Sequence, residues 1–175
     1  VRYAELIAKF GSVDAVVDFL NPDSDFRDSV LREMDAAQRM NIHYISDDSD
    51  FYPSALRDIK KHPPIITVRG NLETLTRPTV SIVGTRHATG VGMKFVADMA
   101  NAFAEHNIAV VSGMAIGTDS AAHLGALRAT GNTNTIAVLA GGVDYIWPLE
   151  NESLYWEIVE RGAVISEMPV GFVPV

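Results

Sequence analysis

VVSGMAIGTDSAAHLGALRATG, Val110 to Gly131, is the stretch that decides the fold. An aliphatic run stops at Ser112-Gly113, passes Gly117, and restarts as an alanine-rich helix over Thr118–Ala129 with His123 one turn in. Strand, glycine turn, helix is the reading this punctuation supports. The rhythm repeats on either side. Upstream, TVSIVG (79–84) is a β-branched strand, followed by a helix over Val91–His106 with Phe95, Val96, Met99, Ala100 and Phe103 on one face. Downstream, NTIAVLAGG is a strand, Asn151 can cap a helix that runs to Gly162, and AVISE closes the series. Fully apolar strands alternating with helices predict an α/β domain over 79–175, a parallel sheet covered on both faces.

Residues 1–60 read differently, as a small all-helical module. Tyr3–Phe10 stops at Gly11, Ser12 can cap Val13–Leu20, and Asn21-Pro22 ends that helix. A third helix, about Asp25–Met40, places Val30, Met34, Ala37 and Met40 on one face. NIHYIS is a short extended piece, and Pro53 opens a last helix through Ile59. Such a module serves interaction or DNA-backbone binding, or simply caps the next domain. Residues 61–78 form a linker in which IITV reads as a strand.

Composition narrows the function. With 47% hydrophobic and 21% charged residues the chain can bury a core. Cysteine is absent, which leaves no disulfide, thiolate site or thiol nucleophile and fits a reducing cytoplasm. No apolar run reaches the roughly 18 residues of a membrane span. The net charge of -8 argues against binding nucleic acid by bulk electrostatics, so any phosphate partner needs a localised pocket. The start at Val1 without a methionine and the end on PVGFVPV lead us to expect a fragment of a longer protein.

Ligands of parallel sheets sit at the carboxyl ends of the strands. The loop GTRHATGVG there, with Gly84, Gly90 and Gly92, does not match a dinucleotide fingerprint. The acid required about 20 residues further on is replaced by Ser112. No P-loop occurs, and metal spacing is missing. What the loop offers is Arg86 just past a buried strand, beside amides that lead into a helix: an anion receptor, or a surface arginine in a solvated turn. Gly113 and Gly117 let backbone approach a ligand, or let the chain turn. His123 can donate to a phosphate or stack on a base, or serve as a hydrogen-bonded helix histidine. Tyr145 and Trp147 can stack bases or cover the core. From Thr79 onward the bases Arg86, Lys94, Arg128 and Arg161 face nine acids, and Arg86, Lys94, His87 and His123 are nearly all the positive character at the strand ends.

Taken together, SIVGTRHATGVG, VVSGMAIGTDSAAHLGAL, TIAVLAGGVDYIWPLEN and GAVISEMPVG resemble the DNA-processing protein A (DprA/Smf) family. YPSALRDIKKHPPIITVRGN resembles the segment before its Rossmann-like domain, and AKFGSVDAVVDF its helical, SAM or helix-hairpin-helix-like module. The resemblance implies a Rossmann-like, mostly parallel sheet covered by helices. It also implies a cytoplasmic, non-enzymatic single-stranded DNA-binding protein of natural transformation, without cofactor or metal. Such a protein shields incoming DNA, forms a homodimer, and helps load the RecA recombinase. Carried over, the nucleic-acid-binding residues are Gly84, Arg86, His87, Lys94, Ser112, Gly113, Gly117, Thr118, His123 and Gly142, with Asp119 as the helix-start acid. Ile116 stands where the family has Arg, Thr118 where it has Ile, and Trp147 where it has Tyr. Leu149 and Glu150 follow Pro148, where many members have a basic residue. The F-P-x-R-N-R-like continuation is absent, so part of the pocket and dimer surface is expected outside this chain. The alternative is a nucleotide-processing enzyme related to phosphoribohydrolases, but Gly141-Gly142 lacks the Thr and Glu such loops carry.

Overall fold

A computed structural model describes residue 6, residues 9–130 and residues 135–174. The chain divides into two compact units, 1–40 and 41–175. Most of the helix expected over Tyr3–Phe10 lies outside the described residues. In the first unit α1 (Val13–Leu20) starts where the Ser12 hydroxyl accepts the Ala15 N–H at 3.2 Å, and it ends at Asn21 in the left-handed region with φ 40°. α2 (Ser24–Arg39) is capped by Asp23, whose carboxylate accepts from the Phe26 N–H at 2.8 Å. Of the apolar face expected on α2 only Ala37 is buried, while Val30 and Met34 are exposed.

The second unit begins earlier than the expected boundary at residue 60. β1 (Ile42–Ser46) pairs antiparallel with β2 (Ile65–Gly70), so the segment we read as the tail of the helical module and the linker belongs to the sheet. Its α3 (Ser54–Arg57) is a single turn. Tyr52, which precedes that turn, is buried in the core beside Ile45, Ile66 and Val68, and burial of that ring ties the segment to the sheet. A 3-10 turn (Leu72–Thr76) follows β2. Then come β3 (Thr79–Ser81), α4 (Gly90–Glu105), β4 (Ala109–Ser112), α5 (Thr118–Leu127), β5 (Thr135–Leu139), a 3-10 turn (Leu149–Asn151), α6 (Glu152–Arg161) and β6 (Ala163–Ser166).

The six strands lie in the order β1-β2-β6-β5-β4-β3. β3, β4, β5 and β6 are mutually parallel, and β2 joins β6 antiparallel. The fold is therefore a mostly parallel α/β sheet of Rossmann-like type. Because the parallel strands are neighbours in space in the order of the chain, right-handed connections put α4, α5 and α6 on one face. Packing agrees: Ala100 and Ala104 of α4 and Ala122 and Ala126 of α5 share a core with Ile82 and Val110. α6 reaches back to α5 through Arg161, which donates to the Leu127 and Ala129 carbonyls at 2.7 and 2.8 Å. The expected helical cover of both faces is thus corrected. The second face is closed by Tyr52, Leu56, Leu72 and Leu75 over β2, β5 and β6, while Val138 stays 41% exposed.

The apolar face expected on α4 packs as read except at one residue: Ala100 is buried, Val96, Met99 and Phe103 lie against the same core, and Phe95 is 67% exposed. Phe95 is two residues, about 200° of helix, from the buried Ala97 and so points away from the core. At Ala97 α5 comes close, and a Cβ on Gly125 would stand 2.2 Å from the Ala97 carbonyl oxygen. Gly125→Ala is therefore expected to cost about 3 kcal/mol through overpacking against backbone, read as a lower midpoint in urea unfolding.

Candidate functional site

The loops after β3, β4 and β5 meet at the carboxyl ends of the parallel strands. Contact between the first two is backbone on backbone. Gly117 sits at φ 86°, and a Cβ there would lie 2.6 Å from the carbonyl oxygens of both Thr85 and Arg86. Next to it, the Thr118 N–H and hydroxyl both donate to the Thr85 carbonyl, at 3.2 and 3.1 Å. On the other loop, a Cβ on Gly84 would lie 2.7 Å from the Thr118 hydroxyl oxygen. Gly84, Gly117 and Thr118 therefore clamp the chain immediately before Arg86, and their small size is what permits it.

Behind the clamp the remaining signature residues hold one another. The Ser112 hydroxyl donates to the Ile82 carbonyl at 2.6 Å, joining β4 to the end of β3. The Gly113 N–H donates to the Asp119 carboxylate at 3.2 Å, which fixes the turn entering α5. His123 is fully buried, with Nδ1 2.7 Å from the Thr135 hydroxyl, itself 2.7 Å from the Val110 carbonyl. Burial lowers the imidazole pKa to about 3, against a smaller upward pull from the Ser112 backbone. It is neutral, and its Nε2 is buried without a hydrogen-bond partner. Of the two roles open to His123, the buried helix histidine is the one this geometry allows; contact with a phosphate or base is not. Gly142 is corrected in the same way. It is buried, and its N–H donates to the Phe172 carbonyl at 2.8 Å, so that amide is not free for a ligand. Asp144 accepts from the Gly171 N–H at 2.9 Å.

In front of the clamp stands Arg86. Its guanidinium lies over the Trp147 ring, 5.6 Å from the centroid, and Trp147 is 52% exposed. The Trp147-Pro148 peptide is cis. Arg86, Ala115, Ile116, Trp147, Pro148 and Glu150 line a shallow recess of about 220 Å³. The N–H groups of Arg86 and Ile116 find no acceptor among the described residues. His87 is exposed on the same loop, its N–H held by the Thr85 hydroxyl at 3.1 Å. Lys94 stands apart. Its ammonium contacts Asp98 one turn along α4 at 2.5 Å, and that carboxylate, whose pKa Lys94 lowers, also faces Arg128 at 3.5 Å. The recess thus has one guanidinium, one exposed indole and one carboxylate. Trp147, which the sequence offers as a base-stacking or core-covering aromatic, is the half-exposed ring of the recess, and Glu150, which the sequence shows only as an acid where a basic residue is usual, joins it there.

A family model described as DNA recombination-mediator protein A matches residues 43–174. The chain belongs to that family. Protein Smf of Synechocystis is 35% identical over 141 residues, which cover 78% of this chain and 35% of that protein. DNA processing protein DprA of Streptococcus pneumoniae is 36% identical over 119 residues, 68% of this chain and 41% of the relative. The crystal structure of the pneumococcal protein superimposes with a TM-score of 0.75 at 30% identity, covering 93% of this chain and 54% of that one. A Helicobacter pylori DNA processing protein A, whose structure addresses a single-stranded DNA binding mode, gives 0.66 at 28% identity over 76% of this chain and 59% of its own. The chain spans about half, or less, of the length of the curated relatives it matches. No helix among the described residues is long and apolar enough to cross a membrane.

The buried histidine makes stability depend on pH. A base whose folded pKa lies below its unfolded value contributes fully above about pH 6.5 and loses that contribution as pH falls toward 3, because the unfolded chain takes up the proton first. The loss is about 1.4 kcal/mol per pH unit over that window. Urea midpoints measured from pH 7 to pH 4.5 on the parent and on His123→Gln are expected to converge as pH falls. Parallel curves would contradict the burial of a neutral imidazole.

Proposed function

We propose that this rim binds single-stranded DNA, and that the chain is the DNA-gripping part of a recombination mediator of natural transformation. The observation that carries the reading is Arg86: a guanidinium at a strand end, without an ion pair among the described residues, stacked over a half-exposed indole and flanked by bare amides. Guanidinium and N–H groups suit a phosphate. An exposed indole suits an unstacked base, which single strands offer and duplexes do not. The Helicobacter relative with the same fold is described by its single-stranded DNA binding, which supports the same polymer here.

On this reading the signature glycines and hydroxyls work through Arg86 by holding its loop, and do not themselves meet the DNA. Lys94, paired with Asp98, and the exposed His87 flank the same loop near the start of α4. The finer roles follow from the family and remain part of the proposal: protection of incoming strands, pairing with a second copy, delivery of the strand to a RecA-type recombinase in the cytoplasm, and binding without catalysis. Of the acids near the strand ends, Asp119 and Asp144 each accept from a backbone N–H, while Glu150 lines the recess.

Fluorescence anisotropy with labelled oligo-dT tests the reading. We expect affinity that falls with added salt. Arg86→Ala is expected to weaken it about tenfold with the thermal melt unchanged, because Arg86 is exposed and supports no core packing. Undiminished binding by the variant would remove Arg86 from the interface.

A further inference from the structure

The recess holds two opposite charges that do not meet. Arg86 and Glu150 both line it, yet no ion pair joins them, and Glu150 has no hydrogen-bond or charged partner among the described residues. Trp147 lines the same hollow, half exposed. For a phosphate this is a poor seat, because the carboxylate repels it at close range. For a neutral heterocycle it is a good one. A flat base can lie on the indole, and the lining of the hollow offers its edge a donor in Arg86 and an acceptor in Glu150. About 220 Å³ is room for one base and not for a stack.

The four bases differ in how their edges match this pair. A carboxylate accepts best from two neighbouring donors, and a guanidinium donates to carbonyl or ring-nitrogen acceptors. Guanine alone places an acceptor, O6, beside two adjacent donors, N1–H and the N2 amino group, on its pairing edge. Thymine has a single N–H between two carbonyls, which would face the carboxylate. Adenine and cytosine each have one amino group beside an unprotonated ring nitrogen, which again opposes a carboxylate.

We propose that the recess takes a single unstacked guanine of the bound strand, stacked on Trp147, with Arg86 on its O6 and Glu150 accepting from N1–H and N2. Glu150 is then the residue that gives an otherwise sequence-tolerant surface a base preference. The proposal rests on the reading of the rim as a single-stranded DNA surface, and it assigns that surface a division of labour. The phosphate lies on the solvent side of Arg86, and the base enters the hollow.

The test uses the 175-residue chain and three labelled oligonucleotides of roughly 12 nucleotides, a length that one such surface can track. They are all-dT, the same with one central dG, and the same with deoxyinosine, which keeps O6 and N1–H and lacks the N2 amino group. We expect the dG strand to bind about tenfold more tightly than all-dT, with inosine between them. Glu150→Ala is expected to bring all three within about twofold. Glu150 is exposed on a short 3-10 turn, so an unchanged melting curve separates this outcome from unfolding. Equal affinity of the parent for dG and dT strands overturns the guanine assignment and leaves the DNA reading standing, as does a preference that survives in Glu150→Ala. Failure to bind any of the three overturns both.

Discussion

Gly117 passes so close to the carbonyls of Thr85 and Arg86 that no side chain fits between the two loops. That contact locates the rest of the rim. With the β4 loop resting directly on the β3 loop, Thr118 can use both its N–H and its hydroxyl on one carbonyl, and the chain leaves the clamp at Arg86 with its direction set. Backbone held against backbone is stiffer than side chain against side chain, since neither partner has rotamers to lose. A guanidinium mounted on such a base loses less freedom when it meets a ligand.

The polar residues behind the clamp are there for order and not for contact. Ser112, Asp119, His123 and Thr135 form a buried set in which each group answers a backbone or side-chain partner from a neighbouring element. Burying them is tolerable because they are paired and the imidazole stays neutral. Within this set Nε2 of His123 is left without a partner among the described residues, a lone ring nitrogen in a packed interior without access to solute. Charge follows the same economy. The molecule is acidic overall, but Asp119 and Asp144 are engaged by backbone donors, and Asp98 faces Lys94 and Arg128. Arg86 and Glu150 are left to define the character of the recess.

Topology explains why the site is a rim and not a crevice. In a sheet whose strand order reverses, helices on opposite faces open a cleft that receives dinucleotides. Here β3 to β6 run in sequence with their helices on one face, so no such cleft forms among them. The carboxyl-end loops line up side by side, an arrangement suited to an extended polymer lying along them. The lack of an acid at the end of β4, where Ser112 stands, agrees with this: its hydroxyl serves the neighbouring strand and not a ribose.

Much of the fold was legible in the residues. Strand and helix positions from Val13 onward follow local rules, because β-branched runs, glycine stops and Ser12 or Asp23 caps act within a few residues of themselves. The position of Gly84, Arg86 and Gly117 at strand ends was legible too, as two glycines and a cation in the loops that follow β3 and β4. What spacing along the chain could not decide was which groups find each other across it. Tyr52 draws residues 41–57 into the sheet, Gly125 lets α5 rest on the backbone of Ala97, and Phe172 takes the amide of Gly142. The placing of Arg86, Trp147 and Glu150 around one hollow likewise joins loops from two different strands. A local pattern determines the period of an element and so which residues share a face. Which face is buried, and which polar group is already satisfied, depends on partners tens of residues away, and only the packed tertiary structure brings those together.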